Sequence, residues 1–284
     1  MHKDCFQCDI KQIIKISQFL SLDKDIESQL LKKTKDYLSC CDMSKTNPEV
    51  MADIWEIVYD VLGNDNPYHD IKSYYNHFLI SLLEEIENYI NHDLYTALKV
   101  TIAANLIDFS AKDKISKEEI NKTLLNAKNL TLSKDDSMIL FDDLKTCHQL
   151  LYLGDNCGEI VLDKFFIKML KEHYPQLEVY YGVRGKPISN DVTIDDALEV
   201  KIDEVAHIIS NGDGSQGTVL SRTSLEFQNI FDNADVVICK GQGNYEGLID
   251  CQKENLYFLF MSKCQLISHL SDTHIFDIVC MKKS

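Results

Sequence analysis

Six residues are the first candidates for chemistry in this chain. Asp155 and Asn156 stand side by side in Gly154-Asp155-Asn156-Cys157-Gly158-Glu159; Arg184, Asp191, Asp213 and Lys240 follow at intervals. The pair offers a carboxylate and an amide oxygen where the apolar run 150–153 gives way to a helical pattern over 160–171. Oxygen donors of this kind suit a hard divalent cation, magnesium or manganese better than zinc. The start of a helix beside them favours an anion. A metal with cations opposite it suits a phosphate ester, whose charge must be offset during transfer. Arg184 and Lys240 are those cations, and Asp191 and Asp213 add oxygen ligands.

Plainer readings stand beside these. Gly-Asp-Asn is a common turn in which polar side chains bond local amides. Asp191 and Thr193 are both good caps for a helix running through Ala197. Arg184 fits a solvated surface, and Asp213 sits in a glycine-rich turn, Asn211-Gly212-Asp213-Gly214. At the start of a helix the thiol of Cys157 would ionise more easily, yet cysteine in an apolar setting is first a packing residue. The chain has no G-x-G-x-x-G site, no Walker loop and no G-x-S-x-G elbow, which leaves nicotinamide, nucleoside-triphosphate and serine-hydrolase chemistry without support.

The elements that must position these residues fall into two parts. From the start to residue 145 the pattern is helical, and no strand is expected before Ile139. Asn47-Pro48 marks the start of a helix reaching Leu62, and Gly63-Asn64-Asp65-Asn66-Pro67 breaks it. Tyr74, Phe78, Leu82 and Ile86 recur on one helical face. A further helix is expected from Asp93 to about Phe109, with Asn105 and Asp108 as a polar pair on an apolar face. From 146 to 284 strand-like runs (149–153, 177–183, 207–210, 235–239, 256–260, 275–280) alternate with helical patterns, with a glycine-rich loop after 235–239. This alternation predicts an α/β fold, a mostly parallel sheet between two helical layers, preceded by an all-helical part. Ligands of such sheets bind beyond the carboxyl ends of the strands, where all six residues fall.

Composition narrows the partners. Hydrophobic residues make up 45% and charged residues 26% of the 284 positions, which is globular. A net charge of -16 repels nucleic acid and anionic membrane, while a metal and local cations in a cleft still admit an anionic small molecule. No stretch of about twenty apolar residues or signal-like start is present, so a cytoplasmic protein is expected. Ten cysteines in that compartment are expected to be free thiols, although Cys5-x-x-Cys8 with Cys40-Cys41 also supplies the ligands of a four-thiolate zinc site.

Taken in order, the motifs resemble the damage-control phosphatases, first catalogued as a domain of unknown function (number 89), and within them the stand-alone prokaryotic branch. The resemblance rests on GDNCGE (154–159), RGKPISNDVTIDDA (184–197), KGQGNYE (240–246), Lys263-Cys264, Cys5-x-x-Cys8 and Asn105-x-x-Asp108, with Ala104 where the family often has glycine. It implies a Rossmann-like α/β/α domain carrying a helical N-terminal part, and hydrolysis of phosphate monoesters such as sugar phosphates and damaged phosphometabolites. A divalent cation (manganese, magnesium, cobalt or nickel) would be held by Asp155, Asn156 and Asp191. Lys240 would hold the phosphate, with Arg184, Gly185, Asn105, Asn244 and Glu246 as the other expected substrate contacts. The attacking group is a metal-activated water or the Asp155 carboxylate, water being preferred, with Asp213 as the expected base. A methyltransferase using S-adenosylmethionine and a non-catalytic phosphometabolite-binding protein are the alternatives.

Overall fold

The computed structural model describes residues 3–107 and 116–283. Asp108, half of the expected polar pair, lies outside them. Three helices come first: α1 (Lys3–Phe19), α2 (Lys24–Cys40) and α3 (Asn47–Leu62). The cap of α3 is Thr46 rather than Asn47. Thr46 and Glu49 form a reciprocal capping box, which leaves Asn47-Pro48 inside the first turn. Gly63 ends the helix with a positive φ of 61°. These helices bury their own core around Trp55, Tyr68, Ile13 and Leu30, and Ile188 from the second half inserts into it.

Two more helices belong with the sheet. In α4 (His69–Ile90) Tyr75, Leu79, Leu82, Ile86 and Ile90 are buried at helical spacing; α5 (Leu94–Ala103) is buried almost throughout. Both pack against α8 (Glu159–His173). The helix expected to reach Phe109 ends at Ala103 and tightens into a 3-10 turn over Ala104–Leu106. Helix α6 (Lys117–Leu125) follows.

The sheet has seven strands: β1 (Lys134–Asp135), β2 (Gln149–Leu153), β3 (Glu178–Val183), β4 (His207–Ser210), β5 (Val236–Lys240), β6 (Leu256–Met261) and β7 (Ile278–Lys282). Their order is β1-β7-β6-β5-β2-β3-β4, and every pairing is parallel except β6 with β7. β1 corrects the expectation of no strand before Ile139: two residues suffice to pair with Val279 and Cys280, too short a run to show in a hydrophobic pattern. Helices α7 (Ser137–Leu144), α9 (Ile194–Glu199), α10 (Leu225–Asn233), α11 (Gly241–Leu248) and α12 (Gln265–Leu270) complete the described α-helices. A second correction falls on Gly241–Leu248, which is a helix and not a glycine-rich loop. Asn244 and Tyr245 are buried within it, and that packing overrides the poor helix propensity of three glycines.

Side-chain alternation divides the strands between two layers. Leu150, Tyr152 and Ile238 join the core shared with α4, α5 and α8. Leu151, Leu153, Val237 and Cys239 face Phe227 and Phe231 of α10, Tyr245 of α11 and Ile267 of α12. The chain leaves β2 for β3 and β4 on one side and returns to β5 on the other. The gap between β2 and β5 is thus the topological switch point, where such sheets bind ligands. Leu153 pairs with Cys239, which sets the residues after β2 beside Lys240.

Candidate active site

Two loops at the switch point are laced together by their backbones. Asp155 follows β2 and Asp191 lies in the loop after β3. The amide of Val192 donates to the Asp155 carbonyl (2.9 Å), that of Cys157 to the Asn190 carbonyl (2.8 Å), and Asn156 and Asp191 form an antiparallel bridge. Residues thirty-five positions apart are thereby held as cross-strand neighbours. The capping reading of Asp191 gives way here: the cap of α9 is Thr193, in a box with Asp196. Asp191 is fully buried and its Oδ2 accepts Arg184 Nε at 2.8 Å.

Arg184 is a buried residue and not a surface cation. Besides Asp191 it reaches Asn244 Oδ1 (3.3 Å) through Nη1, while Nη2 is buried without a hydrogen bond, 3.8 Å from Asp155 Oδ1. Asn244 in turn donates to the carbonyls of Lys240 (2.7 Å) and Gly154 (3.2 Å), and Thr218 donates to its Oδ1 (2.8 Å). Asn244 therefore ties the ends of β2 and β5 together from the first turn of α11. The Gly241 backbone, with φ of 77°, presses against the Asp155 carboxylate so closely that a Cβ would overlap it.

The helical half supplies the inner wall. Asn105 Nδ2 donates to Asp155 Oδ2 (3.0 Å) and to Glu159 Oε1 (2.9 Å). Asn156 Nδ2 donates to the same two oxygens at 2.7 Å each. Asn76 of α4 accepts the Gly158 amide at 2.8 Å, satisfying an N–H at the start of α8, and a buried Lys72–Asp196 pair (2.5 Å) ties α4 to α9.

Lys240 continues the alternation of β5 towards α8 and is fully buried. Its Nζ meets Glu159 Oε2 (3.1 Å) and Asp163 Oδ1 (2.9 Å), and Asp163 also accepts the hydroxyls of Tyr152 (2.8 Å) and Tyr181 (2.9 Å). Burial opposes the charge on Lys240, but Asp163 and Glu159 outweigh it and hold the ammonium above its ordinary range. Asp163 is pushed up by burial against the pull of Lys240. Asp155 is pushed up to about 7 by burial first, then by Glu159 and Asp191. Burial also raises Asp191, with Arg184 pulling it back.

The connected cluster holds four carboxylates (Asp155, Glu159, Asp163, Asp191) and two cations (Arg184, Lys240), an excess of two negative charges when all are ionised. Among the described residues Asp191 Oδ1 is buried without a partner, as is Asn105 Oδ1. An unpartnered carboxylate oxygen in an acidic cluster is the environment a divalent cation satisfies. Two carboxylates and an amide, from Asp155, Asp191 and Asn156, are the hard donors such a cation would use. Among the described residues no three His, Cys, Asp or Glu side chains are gathered as a ready cage, at Cys5, Cys8, Cys40 and Cys41 or elsewhere. No disulfide joins any of the ten cysteines, and burial drives the Cys157 thiol well above its usual range, as for a packing residue.

Three expected site residues stand apart. Asp213 is buried but both oxygens are engaged, by the Ser215 amide (3.1 Å) and Arg222 (3.0 Å). Gly185 packs against the Gly212 backbone and donates its N–H to Asp213 O and Asn211 Oδ1. Glu246 points from α11 towards α1, where it accepts Gln242 and lies within electrostatic reach of Asp9. Conversely, Glu159, Asp163, Asn76 and Lys72 carry much of the site and had no role assigned from sequence. The spacing Asp155–Glu159–Asp163, an acid every fourth residue into an apolar helix, was the available signal.

Residues 1–279 match the model of the damage-control phosphatase ARMT1-like domain. The chain belongs to this family. A damage-control phosphatase of Pyrococcus horikoshii is 29% identical over 98% of this chain and 96% of its own; one of Archaeoglobus fulgidus is 27% identical over 97% and 96%. An uncharacterised protein of Methanocaldococcus jannaschii is 30% identical over 99% of this chain and 94% of its own. The crystal structure of a family member from P. horikoshii superposes with a TM-score of 0.91 at 27% identity, covering 100% of this chain and 99% of that one. The expected α/β fold, a mostly parallel sheet with a helical N-terminal part, is the family's fold. No described helix is long and apolar enough to cross a membrane.

Proposed function

We propose that the protein is a divalent-metal-dependent phosphatase acting on phosphate monoesters of small metabolites, sugar phosphates and damaged phosphometabolites among them. The single observation that carries this reading is Asp191 Oδ1, a buried and unpartnered carboxylate oxygen in a cluster short of two positive charges. Asp155, Asn156 and Asp191 would hold the cation, which when bound polarises a phosphoryl oxygen and lowers the pKa of water. Asn105 and Asn156 both donate to Asp155 Oδ2, which restrains the carboxylate to one orientation. Arg184 Nη2 is a buried guanidinium donor with an open valence for a phosphate oxygen. Lys240 offsets Glu159 and Asp163 from behind, and reaches a phosphate only by exchanging one of them. A carboxylate committed to a cation is a poor nucleophile, so water is the attacking group in this proposal. Asp213 acts as its base only by giving up Arg222 or Ser215.

The names of the P. horikoshii and A. fulgidus relatives support the reaction class. The test is phosphate release from a panel of sugar phosphates and phosphopantetheine-like esters with magnesium, manganese, cobalt or nickel. Wild type is expected to turn over with at least one metal and Asp191→Asn with none. Equal activity in the two proteins overturns the metal assignment. Saturable binding of S-adenosylmethionine without metal would favour the methyltransferase alternative, and ligand binding with no release from any ester the non-catalytic one.

A further inference from the structure

Both loops that would hold the cation lead back to one short helix. Asp191 runs through Val192 into α9, whose first turn is fixed by the Thr193–Asp196 box and by the Lys72–Asp196 pair. The last residue of α9, Glu199, reaches the other loop by an indirect route. Its Oε2 accepts Asn76 Nδ2 of α4 at 2.7 Å, and its Oε1 accepts the Ser73 hydroxyl at 2.5 Å. His77, an exposed residue of α4, lies 3.6 Å from the same Oε1. Asn76 Oδ1 then accepts the Gly158 amide at 2.8 Å. Lys72 and Asn76 are one turn apart on α4, and Asp196 and Glu199 one turn apart on α9, so the two helices are tied twice along facing sides.

Asn76 is fully buried, and its amide has two ends of similar shape and opposite polarity. Only one orientation serves Gly158. Flipped, the amide would set Nδ2 against the Gly158 N–H, leaving two donors facing each other away from water. Glu199 decides the orientation, because a carboxylate only accepts and so claims the Nδ2 end. The N–H held this way belongs to a glycine at φ of 84°, in the turn between Asn156 and α8. The next residue, Glu159, accepts Asn156 and Asn105, so the setting of Gly158 fixes the frame in which Asp155 and Asn156 are oriented.

Resting on the metal-dependent phosphatase reading, we infer that Glu199 is a positioning residue for Asp155 and Asn156, acting through the Asn76 amide. Helix α9 thereby holds both ligand loops, Asp191 through the chain and Asp155-Asn156 through α4.

The test titrates manganese into the full-length protein by calorimetry and follows hydrogen exchange of the Gly158 amide by NMR without metal. Glu199→Ala is expected to weaken manganese binding by about tenfold, the low end for an outer-shell partner, and to speed Gly158 exchange. Glu199→Gln should recover most of both, since the new amide can accept Asn76 through its oxygen and donate to the Ser73 hydroxyl through its nitrogen. Asp195→Ala, at an exposed acid of the same helix, makes the same change in net charge and should move neither. Adding Glu199→Ala to Asn76→Ala should cost nothing further, because the route is already cut. Unchanged manganese affinity in Glu199→Ala, an equal loss in Asp195→Ala, no recovery in Glu199→Gln, or additive losses with Asn76→Ala overturns the assignment. Should Asn76→Ala not fold, the variants at 199 and 195 decide alone. A wild type that binds no manganese, with Gly158 exchange still governed by residue 199, defeats the metal reading and leaves the positioning of the loop standing. No manganese binding and unchanged exchange defeats both.

Discussion

Acidic residues gather at both ends of the sheet, and the two gatherings behave oppositely. At the amino ends of β2 and β5 a cleft of about 570 Å³ is lined by Asp143, Asp232, Asp235 and Glu254 with Lys253. Asp143 accepts Lys282 and Tyr257 there, and Asp235 accepts the amides of His148 (2.8 Å) and Gln149 (2.9 Å). Although burial pushes Asp143 up, Lys282 and Tyr257 hold it below the usual carboxylate range; the amides of Gln149 and His148 do the same for Asp235. At the carboxyl ends Asp155 and Asp191 are raised, because burial outruns the donors supplied. Asp143 and Asp235 are supplied with donors, while Asp155 and Asp191 are left incomplete. Stability alone accounts for the amino end; the carboxyl end makes sense with a positively charged ligand.

The sharpest way to break this contrast is to remove one carboxylate from each end. If Asp191 is the proposed ligand, Asp191→Asn should abolish manganese binding and phosphate release, a loss of at least about 100-fold, since a direct ligand should matter at least as much as an outer-shell partner. Asp143→Asn should leave both readouts near wild type; comparable losses in the two variants would erase the distinction. Gly241→Ala comes next. A side chain there must adopt φ of 77° and displace the Asp155 carboxylate, so both turnover and thermal stability should fall, the strain alone costing about 1–3 kcal/mol.

Protonation separates the ends by sign. Metal binding at the proposed site would need ionised Asp155, and a pKa raised to about 7 would make protons compete strongly for it. Apparent manganese affinity measured by titration should therefore fall as pH drops from 8 to 6. A pH-independent affinity over that window would contradict the raised carboxyl. Asp143 and Asp235 are depressed, so their contribution to stability is complete above the ordinary aspartate pKa and lost only as pH falls through their lower folded values. The smallest effect is expected for Asp235→Asn: a drop in Tm of about 2–4 °C, for the roughly 1 kcal/mol of two weakened amide contacts, with kcat/KM unchanged.

Much of this architecture was legible in the residues because its strands are continuous apolar runs. The patterns over 149–153 and 207–210 coincide with β2 and β4, and the expected parallel sheet put the right loops at one end. What hid was whatever depends on a partner distant in the chain. Gly241–Leu248 is helical because Tyr245 and Leu248 pack under the sheet, which no local propensity reveals. The two residues of β1 are a strand only because β7 lies beside them. Within the site, Asp155, Asn156, Arg184 and Lys240 stood out by following apolar runs. Glu159 and Asp163 sat unnoticed in the apolar first half of an amphipathic helix, and Asn76 looked like one more polar residue on a long helix. Asp213 and Glu246 had the same local signature as the residues that converge, and only the fold separates them.

The hydrogen bond from Gly158 to Asn76, together with Asn105 on Asp155, bears on how this protein can be re-engineered. α4 and α5 hold the first loop in shape from behind, whereas α1–α3 reach the rim mainly through Ile188, Lys186–Glu56 and Arg222–Asp53. A graft of α1–α3 from a relative exchanges the outer surface a substrate would approach, with its joint in the break at residues 63–68. A joint placed after α5 instead would cut through the scaffold of Asp155 itself.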